Sequence, residues 1–223
     1  MNNTGLSVLK KSFSGSIDIN GRDEFLNSSV LVPLILIHGE YHFIFQKRSK
    51  NISQPGEICF PGGRIDPETD INSLETALRE TYEEFGIEKE KINVLGRLSS
   101  VYSPIGVMVD GYIGVVDIKD INEIQINHSE VESIFSIPVS FFEKNAPEKY
   151  YVQIKAHPFI IDKDGKENII LPSKELNLPE VYSRSWGHST YGIYVYKVRG
   201  ETIWGLTARF IKESVERADR KIQ

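Results

Sequence analysis

Apolar and polar positions follow two different periods along this chain, and the changes between them mark out its elements. Residues 30–37 are rich in Val, Leu and Ile, and residues 41–46 form a second strand-like run, with His38-Gly39-Glu40 between them. A three-residue loop centred on glycine predicts a β-hairpin. Pro33 has no N–H to give to a ladder, so this part of the first strand is expected at a sheet edge or a strand's beginning.

From Asn72 to Gly86 the period becomes helical. At 100° per residue Leu74, Leu78, Thr81, Tyr82 and Phe85 share one side, while Glu80, Glu83 and Glu84 gather opposite within roughly 100° of arc. Asn72 is placed to start the helix, with Glu75 as its capping-box partner, and Gly86 to end it in the left-handed conformation. Like charges one turn apart cost only a few tenths of a kcal/mol per pair. An acidic face alone is therefore compatible with simple solvation.

Further strands are expected at residues 94–98 and 112–116, joined by a loop over 99–110 that carries Pro104 and Gly106 and borders a ligand. An apolar stretch at 134–142 is interrupted by Pro138, and residues 151–161 alternate as a strand. Lys163-Asp164-Gly165-Lys166 reads as a turn, with 168–171 returning as its partner. Residues 172–190, with Pro172, Pro179 and Gly187, read as a long loop, a candidate lid or homodimer contact. A strand at 192–197 and a helix at 205–220, buried through Leu206, Phe210, Ile211 and Val215, close the chain. Residues 1–28 form a polar N-terminal extension with a short helix near 6–13, and residues 29–223 one domain. Strands interspersed with two substantial helices predict an α/β fold with a mixed sheet between helices.

Composition changes this picture little. At 223 residues and 40% apolar content the chain can bury a full core. A net charge of −5 argues against non-specific binding to nucleic acid or to anionic membrane. The longest apolar run is far below the ~20 residues that span a bilayer. No targeting signal is legible and the C-terminus is not a Ser-Lys-Leu tail, so a cytoplasmic protein is expected. The single cysteine, Cys59, excludes an intramolecular disulfide and reads as a buried thiol. The five histidines show no ligand spacing.

Candidate chemistry lies where the glycine turn Pro61-Gly62-Gly63 precedes the acidic helix. Glycines let a backbone carbonyl approach a ligand closely, and Mg²⁺ favours a few carboxylates shared with substrate phosphates. Glu80 and Glu84, with Glu83 beside them, suit that chemistry. Arg79-Glu80-Thr81-Tyr82-Glu83-Glu84-Phe85-Gly86-Ile87 resembles the second half of the Nudix hydrolase signature, Thr81 standing at an apolar place. The first half departs from it: fifteen residues separate Gly63 from Arg79 where the pattern has thirteen. The isolated Glu of that signature has Glu68 or Asp70 as its counterpart here.

Ile44-Phe45-Gln46-Lys47-Arg48-Ser49, then Gly56 and Phe60-Pro61-Gly62-Gly63, is similar to the upstream signature of the coenzyme A pyrophosphatase branch, whose first part reads Leu-Leu-Thr, any residue, Arg-Ser. The spacing from Ser49 to Gly56 is one residue short, and the signature's inner Arg is absent, with Lys50 or Ser53 nearest. Asn127, Glu130-Val131 and Ile203-Trp204-Gly205-Leu206-Thr207-Ala208 also look like the branch.

The resemblance implies a Nudix α/β/α sandwich and hydrolysis of a small-molecule diphosphate dependent on Mg²⁺ or Mn²⁺. It implies metal binding by Glu80, Glu83, Glu84 and the Gly63 carbonyl, and catalysis by Glu83 and Glu84 with Arg79 orienting the carboxylates. Lys47, Arg48 and Ser49 are the expected substrate-binding residues, and Glu130 the candidate base from outside the helix. Coenzyme A is the leading substrate. Another nucleoside diphosphate derivative, or a binding module without catalysis, is the alternative.

Overall fold

A computed structural model describes residues 19–219, so the short helix expected near residues 6–13 lies outside them. β1 (Leu26–Ile37) and β2 (Glu40–Arg48) form the expected antiparallel hairpin, turned by His38 and Gly39 at positive φ. β3 (Ile58–Cys59) and β4 (Gly62–Arg64) then return to β2 and β1. The acidic helix α1 (Ser73–Phe85) leads to β5 (Ile92–Arg97), β6 (Val101–Ser103) and β7 (Val107–Val116). After them come β8 (Val131–Pro138) and the short α2 (Val139–Lys144), so the stretch interrupted at Pro138 divides into strand and helix.

These strands make one mixed sheet in the order β3-β2-β1-β7-β5, with β4 beside β1, β6 beside β7 and β8 beside β2. β1 and β7 run parallel, and α1 lies in the connection between them. Strand alternation sends the core to two faces. Leu31, Ile35 and Ile44 pack with Ala77, Leu78 and Phe85 under α1. Val32, Leu34, Phe43 and Phe45 pack on the other side with Phe142 of α2 and with Phe210 and Ile211. The latter two belong to α3 (Gly205–Asp219), which buries the expected Phe210, Ile211 and Val215 and leaves Leu206 half-buried. The result is the expected helix–sheet–helix sandwich.

Pro33 is a correction. It lies in an inner strand, with β7 on one side and β4 then β2 on the other. The Leu31 N–H donates to Pro61 O at 3.0 Å, so the nitrogen of residue 33 faces that same side. There the β4 pairing ends at Val30 and the β2 pairing begins at Leu34. The missing donor falls in the gap between two partners.

Residues 99–110 are not a loop either. β6 and β7 form a hairpin turned at Gly106, with φ +84°. Asp110 hid the strand from the apolar pattern: it is 2% exposed. Arg22 at 2.8 Å, Arg97 at 2.9 Å and the Ser100 hydroxyl at 2.5 Å compensate it.

Downstream, the expected strand at 151–161 divides at His157-Pro158. β9 (Glu148–Ala156) pairs with β12 (Trp186–Val198), whereas β10 (Phe159–Ile161) forms a separate hairpin with β11 (Glu167–Ile169). β12 begins well inside the expected 172–190 loop, and Gly187, at φ +82°, sits in the register shift that disguised it. With β13 (Glu201–Trp204) it completes a three-stranded sheet in the order β13-β12-β9. Among the described residues no helix is long and apolar enough to cross a membrane.

Contact between β7 and α3 is tight at Gly111, where an added Cβ would stand 2.3 Å from the Phe210 ring. Gly111→Ala is expected to lower stability by about 1–3 kcal/mol. Gly96→Ala, at a position with open space, should stay within about 0.5 kcal/mol of the parent. Urea denaturation of the two variants checks the contrast.

Candidate active site

α1 is set by its ends. The Asn72 side chain accepts from the Leu74 and Glu75 N–H groups at 2.9 and 3.1 Å, and Gly86, at φ +66°, closes the last turn. Glu75 is turned toward Lys89, 4.0 Å away, so it does not serve as the expected capping-box partner. The buried arc is centred on Thr81. Glu84 stands about 60° from that centre and Tyr82 about 100°. This corrects the sequence reading: Tyr82 is 50% exposed and Glu84 only 2%.

Glu84 is held at both oxygens, Oε1 accepting from Gln46 Nε2 at 2.9 Å and Oε2 from the Gly62 N–H at 3.0 Å. Burial pushes its pKa up to about 7, aided by the charges of Glu80 and Glu130, while the two hydrogen bonds oppose the rise. Burial also raises Glu80 against the pull of Arg79, and Glu83 and Glu130 add to it. Glu130, on the turn before β8, is thus close enough to act on both carboxylates. At Gly63 an added Cβ would lie 2.3 Å from Glu80 Oε1, so that carboxylate rests directly on the glycine backbone. At Gly62 it would lie 2.4 Å from Ser29 O. These two glycines are required by close approach.

Arg79 organises the acidic face. Its Nη1 donates to Glu80 at 2.8 Å and to Glu83 at 3.1 Å, while Nε and Nη2 grip both oxygens of Asp70 at 2.9 and 3.0 Å. Asp70 also accepts from Thr76 Oγ1 and the Asp66 N–H. Hydrogen bonds from Arg79 hold the Asp70 carboxyl far below the usual carboxylate range. Of the two acids the sequence offered, Asp70 is buried against Arg79 and Glu68 is exposed.

Among the described residues no three Asp, Glu, His or Cys side chains close on one point. Glu80 and Glu83 are drawn to Arg79, and Glu84 is drawn inward. The donor set still fits a hard divalent cation. Glu80, Glu83, Glu84 and Glu130 supply oxygen alone, and two of them are held above the ordinary range by burial and by their neighbours' charge.

A NUDIX domain matches residues 27–152. The chain belongs to the NUDIX family. It is 40% identical over 124 residues to Nudix hydrolase 3 of Caenorhabditis elegans, covering 53% of this chain and 50% of that one. With the peroxisomal coenzyme A diphosphatase NUDT7 of Mus musculus it shares 35% over 138 residues, covering 60% and 56%. With the mitochondrial coenzyme A diphosphatase NUDT8 of the same species it shares 28% over 183 residues, covering 81% and 72%. The chain thus spans about half the length of the first two of these relatives.

A cavity of about 460 Å³ takes Gly62, Gly63, Arg48 and Glu57 into its lining, and it meets α1 only through the two glycines that α1's acids touch. Of the expected substrate-binding residues Arg48 borders this cavity, its Nε tied to Ser53 O at 2.9 Å. Lys47 turns instead to Glu201, at 3.2 Å. Ser49 is buried, and its N–H donates to Glu130 O, which fixes the Glu130 turn. Tyr191, Ile193, Ile154 and Trp204 form an apolar wall that periodicity did not reveal. One signal for it was present: Trp204-Gly205-Leu206-Thr207, part of a segment that resembled the coenzyme A branch, lines the same cavity.

Ionising Glu84 opposes folding. Its pKa rises from 4.5 to about 7 in the folded state, so the metal-free fold loses stability as pH climbs between those values, roughly 3 kcal/mol in all. Asp70, lowered on folding, works in the opposite sense and loses its contribution only in strong acid. Glu84→Gln is therefore expected to raise the melting temperature of metal-free protein at pH 8 and leave it little changed at pH 5. Thermal melts at the two pH values, with chelator present, check this.

Proposed function

We propose that this NUDIX protein is a diphosphate hydrolase acting on coenzyme A or an acyl-coenzyme A, with 4′-phosphopantetheine and adenosine 3′,5′-bisphosphate as products. One observation carries the reading. The carboxylates Glu80 and Glu84 meet Gly62 and Gly63, and these glycines share a cavity with Arg48 and an apolar wall. An oxygen-rich cation site, a phosphate-binding cation and room for an organic group thus adjoin one another. The names of the two mouse relatives support the same substrate. The cavity volume falls within the range of small-molecule sites.

Glu80, Glu83 and Glu84, with the Gly63 carbonyl and Glu130 as further oxygens, would hold Mg²⁺ or Mn²⁺. When bound, such an ion neutralises phosphate charge and makes water a competent nucleophile near neutral pH. Arg79, pinned by Asp70, bridges Glu80 and Glu83 through one nitrogen and so holds them on one face. Arg48, with Nε occupied by Ser53, offers its terminal nitrogens to the diphosphate oxygens. Glu130 accepts the proton of the attacking water at its carboxylate, while the phosphoanhydride bond opens on the far side of phosphorus. A second reading, another nucleoside diphosphate derivative, is favoured by the absence of an arginine between Ser49 and Gly56.

Incubation with coenzyme A, acetyl-coenzyme A, ADP-ribose and nucleotide sugars, with products identified by mass, tests the choice. Turnover of the coenzyme A species is expected, whereas cleavage of nucleotide sugars without it rejects the assignment. Arg48→Ala should lower kcat/KM about 10–100-fold, chiefly through KM. Asp70→Asn, which frees Arg79, should lower kcat by a similar factor with KM little changed. Steady-state kinetics on both variants checks this division.

A further inference from the structure

Gln46 is 0% exposed and stands on β2 beneath α1. Alternation explains its direction: Ile44 faces the same helix, whereas Phe45 packs on the opposite side. Its Nε2 donates to Glu84 Oε1 at 2.9 Å and lies 3.5 Å from Cys59 Sγ. Its Oε1 is buried and has no hydrogen-bond partner among the described residues. An unsatisfied buried carbonyl of this kind opposes folding, and an apolar side chain of the same length would fill the place without that cost. What sets an amide apart here is the donor at its other end. The similar coenzyme A signature has threonine at this place, whose hydroxyl stops well short of such a reach.

We infer that Gln46 is a positioning residue for Glu84, fixing the plane of its carboxylate together with the Gly62 N–H so that its remaining lone pairs serve a divalent cation. The inference rests on the metal-ligand role proposed for Glu84. Gln46 touches neither substrate nor the reacting atoms in this scheme. It acts through Glu84 alone, which gives it a signature that a packing residue lacks.

The test uses the full chain with Gln46→Met and Gln46→Thr, each alone and combined with Glu84→Gln. Mn²⁺ affinity is read from the electron paramagnetic resonance signal of free Mn²⁺, and kcat and KM are measured beside it. Either Gln46 variant is expected to weaken Mn²⁺ binding about 10–100-fold. The fall in kcat should be comparable, with KM within about twofold of the parent. In the Glu84→Gln background the same substitutions should change Mn²⁺ affinity by less than about twofold, because residue 84 then has no carboxylate for Gln46 to orient toward the ion. Unchanged Mn²⁺ affinity and kcat in both variants overturns the inference, and so does an equal loss with and without Glu84→Gln, which marks a packing role. If near-ultraviolet circular dichroism shows that one variant does not fold, the other carries the comparison. Wild-type Mn²⁺ binding and turnover in Glu84→Gln itself would instead remove the metal-ligand role from which the inference starts.

Discussion

The site depends on a carboxylate resting against a glycine backbone. Glu80 lies where a Gly63 side chain would have to be, and Glu84 takes the neighbouring Gly62 N–H. β4 can therefore approach α1 closely only as Gly-Gly, and only while the helix presents acids at those turns. Glu84 accordingly lies on the interior side of the helix while Tyr82 faces outward. Glycines and acids form one feature, and neither half has a purpose without the other.

Arg79 and Asp70 answer the electrostatic problem this creates. Three acids on one short arc repel each other weakly in water, but burial strengthens that repulsion. Arg79 engages Glu80 and Glu83 and is itself held by both oxygens of Asp70. Asp70 is fastened in turn by Thr76 and the Asp66 backbone. Asp70 lies within the enlarged interval between Gly63 and Arg79 and reaches back to the arginine from there. Glu84 makes no ion pair with Arg79, and burial raises its pKa against the hydrogen bonds from Gln46 and Gly62.

Much of this was legible before any coordinates. Hairpin, helix ends, sandwich and acidic face follow from period, glycine placement and the cap at Asn72, all local properties. What stayed hidden depended on partners distant in sequence. Pro33 sits in an inner strand because two different strands flank it in succession. Asp110 breaks an apolar pattern because Arg22 and Arg97 compensate it from elsewhere. The strand expected at 192–197 is there, but its first residues were concealed by the glycine bulge, and the cavity wall by having its members drawn from β9, β12 and β13. Within the site, Lys47 and Arg48 are adjacent in sequence, yet they diverge to Glu201 and to the cavity, and no motif encodes that divergence. Gln46 read as an ordinary strand residue until its amide was seen against Glu84.

The parallel pairing of β1 with β7 constrains how this molecule can assemble. Leu26 lies opposite Val107 and Leu34 opposite Val115, so the two strands meet only after the intervening chain, α1 included, has been looped back. Closing so long a loop is entropically slow, and contacts of this separation are characteristic of late steps in folding. The β1–β2 hairpin and the isolated helix can form early from local signals. The seat for the acids instead unites Gln46, Gly62, Gly63 and α1, all from the chain ahead of β7, so its parts can meet before that crossover shuts.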